Sequence, residues 1–133
     1  MYNAIPGRYV NRIGNARYTI GDTTYMTETN DGNNTLHSGT NNWSYRVWNV
    51  VAVSADSITF SIVDKEGDST GMPGRVDANV TYTVANGTWY TTMAATASAK
   101  TRELFPPLNP QPPSKPRAHT GISCRHPDRL VKS

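Results

Sequence analysis

Apolar and polar residues alternate along much of the chain as far as about residue 100. In residues 57–63 the alternation places Ile58, Phe60 and Ile62 on one face of an extended segment, and residues 76–84 repeat it. A period of two is typical of a half-buried β-strand. No window carries an apolar stripe of useful length at helical spacing. The pattern therefore predicts an all-β, antiparallel body.

Turn residues separate the predicted strands. A Gly-Asp pair at 21–22 predicts a short hairpin over residues 17–26, and an Asn-Gly pair at 86–87 predicts a tight turn before a last strand at 88–97. Both pairs suit the positive φ angles that two-residue hairpin loops need. The β-branched and aromatic run at 46–53 (R-V-W-N-V-V-A-V) predicts a further strand.

The composition changes near Thr101. Seven of the nine prolines lie in residues 102–133. Proline removes a ladder donor, and this segment has little apolar periodicity with which to build a core. The sequence therefore predicts two regions: a β domain over 1–101, and a proline-rich basic tail over 102–133 that is disordered or extended.

The net charge of +3 belongs to the tail. Residues 1–101 carry 7 Lys+Arg and 8 Asp+Glu, whereas residues 102–133 carry 6 and 2. The body therefore gives no electrostatic reason to expect a nucleic-acid partner. No apolar run approaches the ~20 residues that cross a bilayer, so no membrane partner is expected either.

Cysteine and histidine usage argues against a metal site. Cys124 is the only cysteine, which excludes an internal disulfide and a zinc site built from cysteine pairs. His119 and His126 lie near it without the spacing of a metal site or of a nucleophilic catalytic pair. The sequence thus predicts no metal ion.

Four Asn-x-Ser/Thr sequons occur, at Asn33, Asn42, Asn79 and Asn86. Such triplets are N-glycosylation acceptors in secreted proteins, although they also arise by chance in Asn/Thr-rich chains. Residues 1–6 have neither the basic start nor the apolar stretch of a signal peptide. The compartment stays open between secreted and cytoplasmic, with the sequons favouring a secretory ancestry.

Candidate binding chemistry lies in two short motifs, G-R-Y-V-N-R-I at 7–13 and N-T-L-H-S-G at 34–39. The planar donor fork of Arg12, beside Asn11, suits vicinal hydroxyls or a ring oxygen, although a lone arginine is ordinarily a surface residue. His37 is followed by small residues that leave room for a ligand, and its imidazole can donate and accept hydrogen bonds. A lone histidine is otherwise structural or solvated.

Aromatic residues follow the histidine motif. Because sugars stack their C–H faces on aromatic rings, Trp43 is a candidate wall of a carbohydrate site. Trp48 lies inside the apolar run, so it is predicted to belong to the core.

Two other segments have competing interpretations. The acidic, Gly-rich residues 64–74 suggest calcium, but they lack the fixed EF-hand pattern, and a solvated loop is favoured. Residues 110–115 (P-Q-P-P-S-K) fit a ligand for an adaptor domain that binds polyproline helices. In so proline-rich a segment that match arises easily by chance.

The order of these motifs resembles the aldose 1-epimerase (galactose mutarotase) family, and fungal members in particular. The family shows "GR-x-x-NRI" and "N-x-LHGG" segments, a Trp-containing strand, an alternating strand, a "D-G-x-x-G-x-P-G" loop, a "V-x-V-T-Y-T-L" strand and a Trp segment ending in "K-T". The matching residues here, in the same order, are 7–13, 34–39, 45–48, 57–63, 64–74, 76–84 and 89–101. The resemblance implies an antiparallel fragment of a galactose mutarotase-like β-supersandwich.

The resemblance also implies a chemistry, the interconversion of the α and β anomers of a hexose such as galactose or glucose, without a cofactor. Residues at the positions of Asn11, Arg12 and His37 bind and orient the sugar. A general base removes the anomeric proton while a general acid protonates the ring oxygen. In the family the acid is a second histidine in an "H-x-Y/F-x-N-L" motif after "K-T", and the base is a later glutamate.

Neither catalytic motif is recognisable here. Residues 102–107 read R-E-L-F-P-P, and neither His119 nor His126 has the aromatic and Asn-Leu neighbours of the acid motif. The chain is therefore expected to be truncated at both ends, with a tail that looks like a gene-model artefact. No catalytic residue is assigned, and inactivity is expected. A non-catalytic carbohydrate-binding module and an interaction protein acting through its tail are the alternatives.

Overall fold

The computed structural model describes residues 4–100 and, as strands, His119–His126 and Arg129–Leu130. Within these residues the secondary structure is β-strand with two short 3₁₀ segments, Gly14–Ala16 and Trp43–Tyr45. The strands are β1 Arg12–Ile13, β2 Arg17–Ile20, β3 Thr23–Met26, β4 Thr35–Leu36, β5 Asn49–Val53, β6 Ser57–Asp64, β7 Val76–Ala85, β8 Thr88–Ala97, β9 His119–His126 and β10 Arg129–Leu130.

The main sheet has the strand order β10-β9-β8-β7-β6-β5. Strands β5 to β8 form an antiparallel meander, which confirms the all-β prediction. The β8–β9 pair is parallel and departs from the wholly antiparallel prediction. A parallel pair needs a long connection between its strands, and 21 residues separate β8 from β9 in the sequence. No helix within the described residues is long and apolar enough to span a membrane.

The predicted alternation sets the register of the meander. Ile62 pairs with Ala78, and Phe60 pairs with Val80, so their side chains share a face of the sheet. This face covers the larger core, with Trp48 and Met93 packed at its margin. The buried members of this core are Trp43, Ile62, Val76, Ala78, Ala95 and Ala97.

The turn predictions are confirmed. Strands β2 and β3 pair across Gly21 and Asp22. Strands β7 and β8 pair across Asn86 and Gly87, whose φ angles of 51° and 71° are those of a tight turn with two left-handed residues.

The N-terminal half forms a smaller unit beside the main sheet. Strand β1 pairs with β4, and the β2–β3 hairpin stands as a separate two-stranded sheet. Ile13, Tyr18 and Met72 form a second core. The Tyr18 hydroxyl donates to the Gly71 carbonyl at 3.0 Å, so the loop that leaves β6 holds this unit in place.

The strand predicted over 46–53 begins only at Asn49. The preceding residues turn because the Asn42 side chain accepts a hydrogen bond from the Ser44 amide and caps a 3₁₀ segment. The Arg46 side chain then reaches the carboxylate of Asp64. The β-branched and aromatic residues at 47–48 favour a β-strand, but the cap and this ion pair hold the backbone before Asn49 out of the strand.

Most of the tail prediction falls outside the described residues. The described parts of 102–133 are β9 and β10, which are extended backbone. The boundary at Thr101 stays a prediction.

Candidate functional site

The β1–β4 ladder brings the three predicted sugar-binding residues together. Arg12 pairs with Leu36 in the ladder, so Asn11 and His37 lie opposite each other just beyond it. The His37 amide donates to the Asn11 carbonyl at 3.0 Å. The Asn11 amide donates to Nδ1 of His37 at 3.1 Å. Two segments that are distant in sequence therefore form one local surface.

The second of these hydrogen bonds determines which nitrogen of the neutral imidazole carries the proton. Nδ1 of His37 accepts the Asn11 amide, so in the neutral ring the proton is on Nε2. His37 is half-buried and Asn11 is exposed. The ring therefore offers a single N–H donor, oriented by the backbone on its other side.

The backbone at this surface is held in an uncommon conformation. The φ angles of Asn11, His37 and Ser38 are 67°, 51° and 70°. Residues other than glycine avoid this left-handed region, and clusters of such residues persist only where their surroundings fix them. Such clusters occur preferentially at ligand sites, so this one supports a binding role.

Two side chains hold that backbone, because each bonds to both the amide and the carbonyl of one residue, as a neighbouring strand would. Asn30 Oδ1 accepts the Leu36 amide at 2.6 Å, and its Nδ2 donates to the Leu36 carbonyl at 2.9 Å. Ser38 Oγ accepts the Tyr9 amide at 2.5 Å and donates to the Tyr9 carbonyl at 3.1 Å. His37 is thus held from both sides by side-chain hydrogen bonds to backbone.

Arg12 is oriented by Asp31, a residue that sequence reasoning missed. Nε of Arg12 donates to Oδ2 of Asp31 at 2.5 Å, and the Arg12 side chain is 56% exposed. Within the described residues its Nη groups make no other hydrogen bond and remain available to a ligand. Asp31 lies in the sequence Asn-Asp-Gly at 30–32, and these residue types by themselves indicate only a turn. Its pairing with Arg12 depends on the three-dimensional fold.

The burial of Trp43 contradicts its predicted role as a site wall. Trp43 is 0% exposed and lies in the larger core. Its amide donates to the Gly7 carbonyl at 2.9 Å, and a Cβ on Gly7 would lie 2.4 Å from the indole. Trp48, predicted as core, is half-buried and packs edge-on against Trp43, with ring centroids 5.9 Å apart. Sequence could not tell which tryptophan the 3₁₀ segment turns inward.

A buried charge cluster forms around Asp64. Asp64 is fully buried; its Oδ1 accepts from Arg46 Nη1 at 2.6 Å, and its Oδ2 accepts from the Ser69 hydroxyl at 2.9 Å. Nη1 of Arg8 lies 3.8 Å from the same carboxylate. The interpretation of 64–74 as a solvated loop is therefore wrong for Asp64 and Ser69, which face inward.

Arg8 links this cluster to the backbone of the Gly-Met-Pro-Gly turn. Its guanidinium donates to the carbonyls of Met72 at 3.4 Å and Gly74 at 2.9 Å, and also to that of Pro73. Burial lowers the pKa of Arg8, while the charge of Asp64 acts in the opposite direction. Arg8 lies within the first binding motif, three residues before Asn11, so this cluster anchors that motif.

Among residues 4–100, no group of three histidine, cysteine or acidic side chains could hold a metal ion. Asp68, the other acidic residue of the loop that approaches the cluster, accepts a hydrogen bond from Arg46 Nη2 at 3.1 Å.

Comparison with known proteins identifies the family. The family model described as aldose 1-epimerase matches residues 1–105. A probable aldose 1-epimerase from Arthroderma benhamiae is 40% identical over 85 residues, which cover 62% of this chain and 19% of the relative. The galactose mutarotase of Sus scrofa is 33% identical over 100 residues, which cover 75% of this chain and 29% of the relative.

Solved structures agree with this assignment. A GalM/aldose epimerase homologue from C. elegans matches with a TM-score of 0.57 and 39% identity over 60% of this chain and 24% of the other. A galactose 1-epimerase from Lactobacillus acidophilus NCFM, with a TM-score of 0.55 and 21% identity, shares the fold over 65% of this chain and 27% of the other.

The chain thus spans less than a third of the length of each of these relatives. The family model ends at residue 105 and gives no support to the adaptor-domain ligand predicted at 110–115, which lies outside the described residues.

Proposed function

Since the chain belongs to the aldose 1-epimerase family, we propose that Asn11, Arg12 and His37 form one wall of a hexose-binding site. The observation that carries the proposal is the reciprocal pair of hydrogen bonds between Asn11 and His37, next to an arginine whose Nη groups reach solvent. Trp43 has no part in the proposed site because its ring is buried.

The proposed wall consists mainly of hydrogen-bond donors. His37 presents Nε2–H, and Arg12 presents the outer half of its guanidinium fork. A pyranose offers acceptors of matching type in its ring oxygen and neighbouring hydroxyls. Donors in this position would stabilise negative charge that develops on a ring oxygen as a sugar ring opens. Exposed Asn11 adds an amide that can both donate and accept.

Binding without turnover is the expected behaviour of this chain. Anomer exchange needs an acid and a base on opposite sides of the sugar, and each typically contributes roughly 10²–10⁴-fold. In residues 4–100 His37 is the only histidine, and its Nδ1 is engaged by the backbone. A non-catalytic carbohydrate-binding module predicts the same result, because both interpretations use the same wall.

The test measures binding and exchange separately on the full chain. Saturation-transfer NMR with galactose reports binding, and polarimetry of freshly dissolved α-galactose reports exchange. We expect saturable binding and an unchanged exchange rate. Arg12→Lys keeps the charge but loses the planar fork, so it should weaken binding about 10-fold, near 1.4 kcal/mol. His37→Asn tolerates the left-handed backbone but removes Nε2, and it should also weaken binding.

Arg17→Ala is the matched control, because Arg17 is an exposed arginine on the neighbouring hairpin. It should leave binding unchanged. A loss in Arg17→Ala equal to that in Arg12→Lys would show that the effect does not depend on the position of the arginine, and it would refute the site. Accelerated exchange that disappears in His37→Asn would refute the absence of turnover.

A further inference from the structure

The four sequons look alike in sequence, but the structure places them in different surroundings. Asn42 is buried; its Nδ2 donates to the Gly39 carbonyl at 2.9 Å, and its Oδ1 accepts the Ser44 amide at 2.9 Å. A glycan on Nδ2 would need space inside the core and would disturb this cap. Asn42 is therefore incompatible with glycosylation of the folded chain.

Asn79 and Asn33 are poor N-glycosylation acceptors for other reasons. Asn79 lies in the middle of β7, paired with Ser61 on one side and Ala94 on the other, whereas occupied sequons lie in surface loops. Asn33 is in an exposed turn, but the hydroxyl that completes its sequon belongs to Thr35. Thr35 is 0% exposed, and its Oγ1 lies 2.5 Å from Thr27 Oγ1 in a buried hydrogen bond.

Asn86 and the residue that completes its sequon are both accessible at the surface. It is exposed at the tip of the β7–β8 hairpin, and within the described residues its side chain makes no hydrogen bond. Thr88, which completes the sequon, opens β8 and is only partly buried. The φ angle of Asn86 is 51°, the left-handed conformation of a tight hairpin turn. We propose that Asn86 is the acceptor of an N-linked glycan.

The transfer needs a lipid-linked oligosaccharide, whose reducing sugar is held at C1 by a pyrophosphate. Nδ2 of Asn86 forms a bond to C1, and the bond from C1 to the pyrophosphate oxygen breaks. The lipid pyrophosphate leaves with that electron pair, and the amide loses one proton to a base of the transferase. No oxidant or reductant is involved, and the Thr88 hydroxyl completes recognition of the acceptor.

The position is distant from the Gly74 turn, to which Arg8 of the first binding motif is bonded. Strand β7 has ten residues, so Asn86 lies roughly 30 Å along the strand from the Gly74 turn that Arg8 holds. The tip also carries exposed apolar side chains: Val84 is 54% exposed and Trp89 is 53% exposed. A glycan at Asn86 would cover apolar surface that otherwise faces water.

The test directs the full chain into the secretory pathway of a eukaryotic host with a cleavable leader. Intact mass is measured before and after an amidase releases N-linked glycans. We expect one glycan on the unmodified sequence and on Asn33→Gln and Asn79→Gln. We expect none on Asn86→Gln or Thr88→Ala, and restoration in Thr88→Ser, which keeps the hydroxyl. Cell-retained and secreted chains are both analysed, so that poor folding of a variant does not hide its modification.

Two results would overturn the proposal. One is an unglycosylated chain with the original sequence, and the other is a glycan that persists in Asn86→Gln or Thr88→Ala. Loss of the glycan only in Asn33→Gln would assign the acceptor to the β3–β4 turn instead.

Discussion

At the scale of residues, one glycine allows the loop after β6 to approach the end of β3 closely. Gly71 is the tightest point, since a Cβ there would lie 1.8 Å from the carbonyl oxygen of Met26. Its φ angle of 74° is also in the left-handed region. The site depends on this approach, because the same turn supplies carbonyls to Arg8 and Tyr18.

Gly71→Ala should therefore be strongly destabilising, by on the order of 3 kcal/mol or more, because backbone strain and a backbone clash coincide. Gly67→Ala is the matched control, since Gly67 has a φ angle of 90° but nothing within 4 Å of an added Cβ. It should cost only about 1–2 kcal/mol, from strain alone. Urea unfolding of both variants measures the difference. Equal losses would show that the approach to Met26 relaxes freely.

Only some of the residues at the candidate site could be predicted from the sequence. Arg12, Asn11 and His37 were recognisable because a short motif held them together with small neighbours. Asp31 and Asn30 were not, because a turn-forming residue looks the same whether its side chain meets solvent or an arginine. Trp43 was wrongly assigned to the site, because the sequence does not show that the 3₁₀ segment buries its ring, whereas Trp48 packs against the core as predicted.

At the scale of elements, the buried charges of the β6–β7 loop connect the main sheet to the N-terminal unit. Asp64, the last residue of β6, faces both Arg8 and Arg46. An ion pair in such a place is hydrogen-bonded on several sides and is costly to break from one side. The loop therefore holds the N-terminal unit against the main sheet.

Asp64→Ala should lower the free energy of unfolding by roughly 3–5 kcal/mol, because Arg8 would stay buried without its carboxylate. Asp77→Ala is the matched control, since Asp77 accepts from Arg75 at 2.8 Å in an exposed ion pair. Its loss should be no more than about 1 kcal/mol. Chemical denaturation at neutral pH compares the two. Similar values for both variants would mean that the cluster is open to water.

At the scale of the molecule, the edge of the sheet is unusually apolar. All five residues of β5 are exposed, and Val50, Val51 and Val53 are 55%, 56% and 71% exposed. Natural edge strands carry charges, proline or bulges that prevent pairing between molecules. Asn49–Val53 has neither charge nor proline, and its protection is limited to the register shift between Val50 and Ala52. The matched segments cover only 19% and 29% of the two relatives, so in them further chain is available to cover such surface.

The isolated chain should consequently self-associate through β5. Val51→Lys should reduce the association, because a charge on the edge opposes strand pairing. Thr96→Lys adds the same charge at an exposed position of β8, which is paired on both sides, and should have little effect. Size-exclusion chromatography with light scattering over a concentration series reads out the oligomer. A monomer at all concentrations, or equal effects of the two lysines, would contradict the edge mechanism.

The sequence by itself determined the strands of the meander, their facing residues and their turns, because period-two alternation and Asn-Gly or Gly-Asp pairs act locally. It also determined the family and the residues of the two binding motifs, because these lie within short ordered segments. Only the tertiary structure decided the rest. It turned Trp43 inward, buried Asp64 between two arginines and paired Arg12 with Asp31. It also placed the four sequons in different surroundings. Each of these depends on contacts between segments that are distant in the chain, and local pattern carries no information about such contacts.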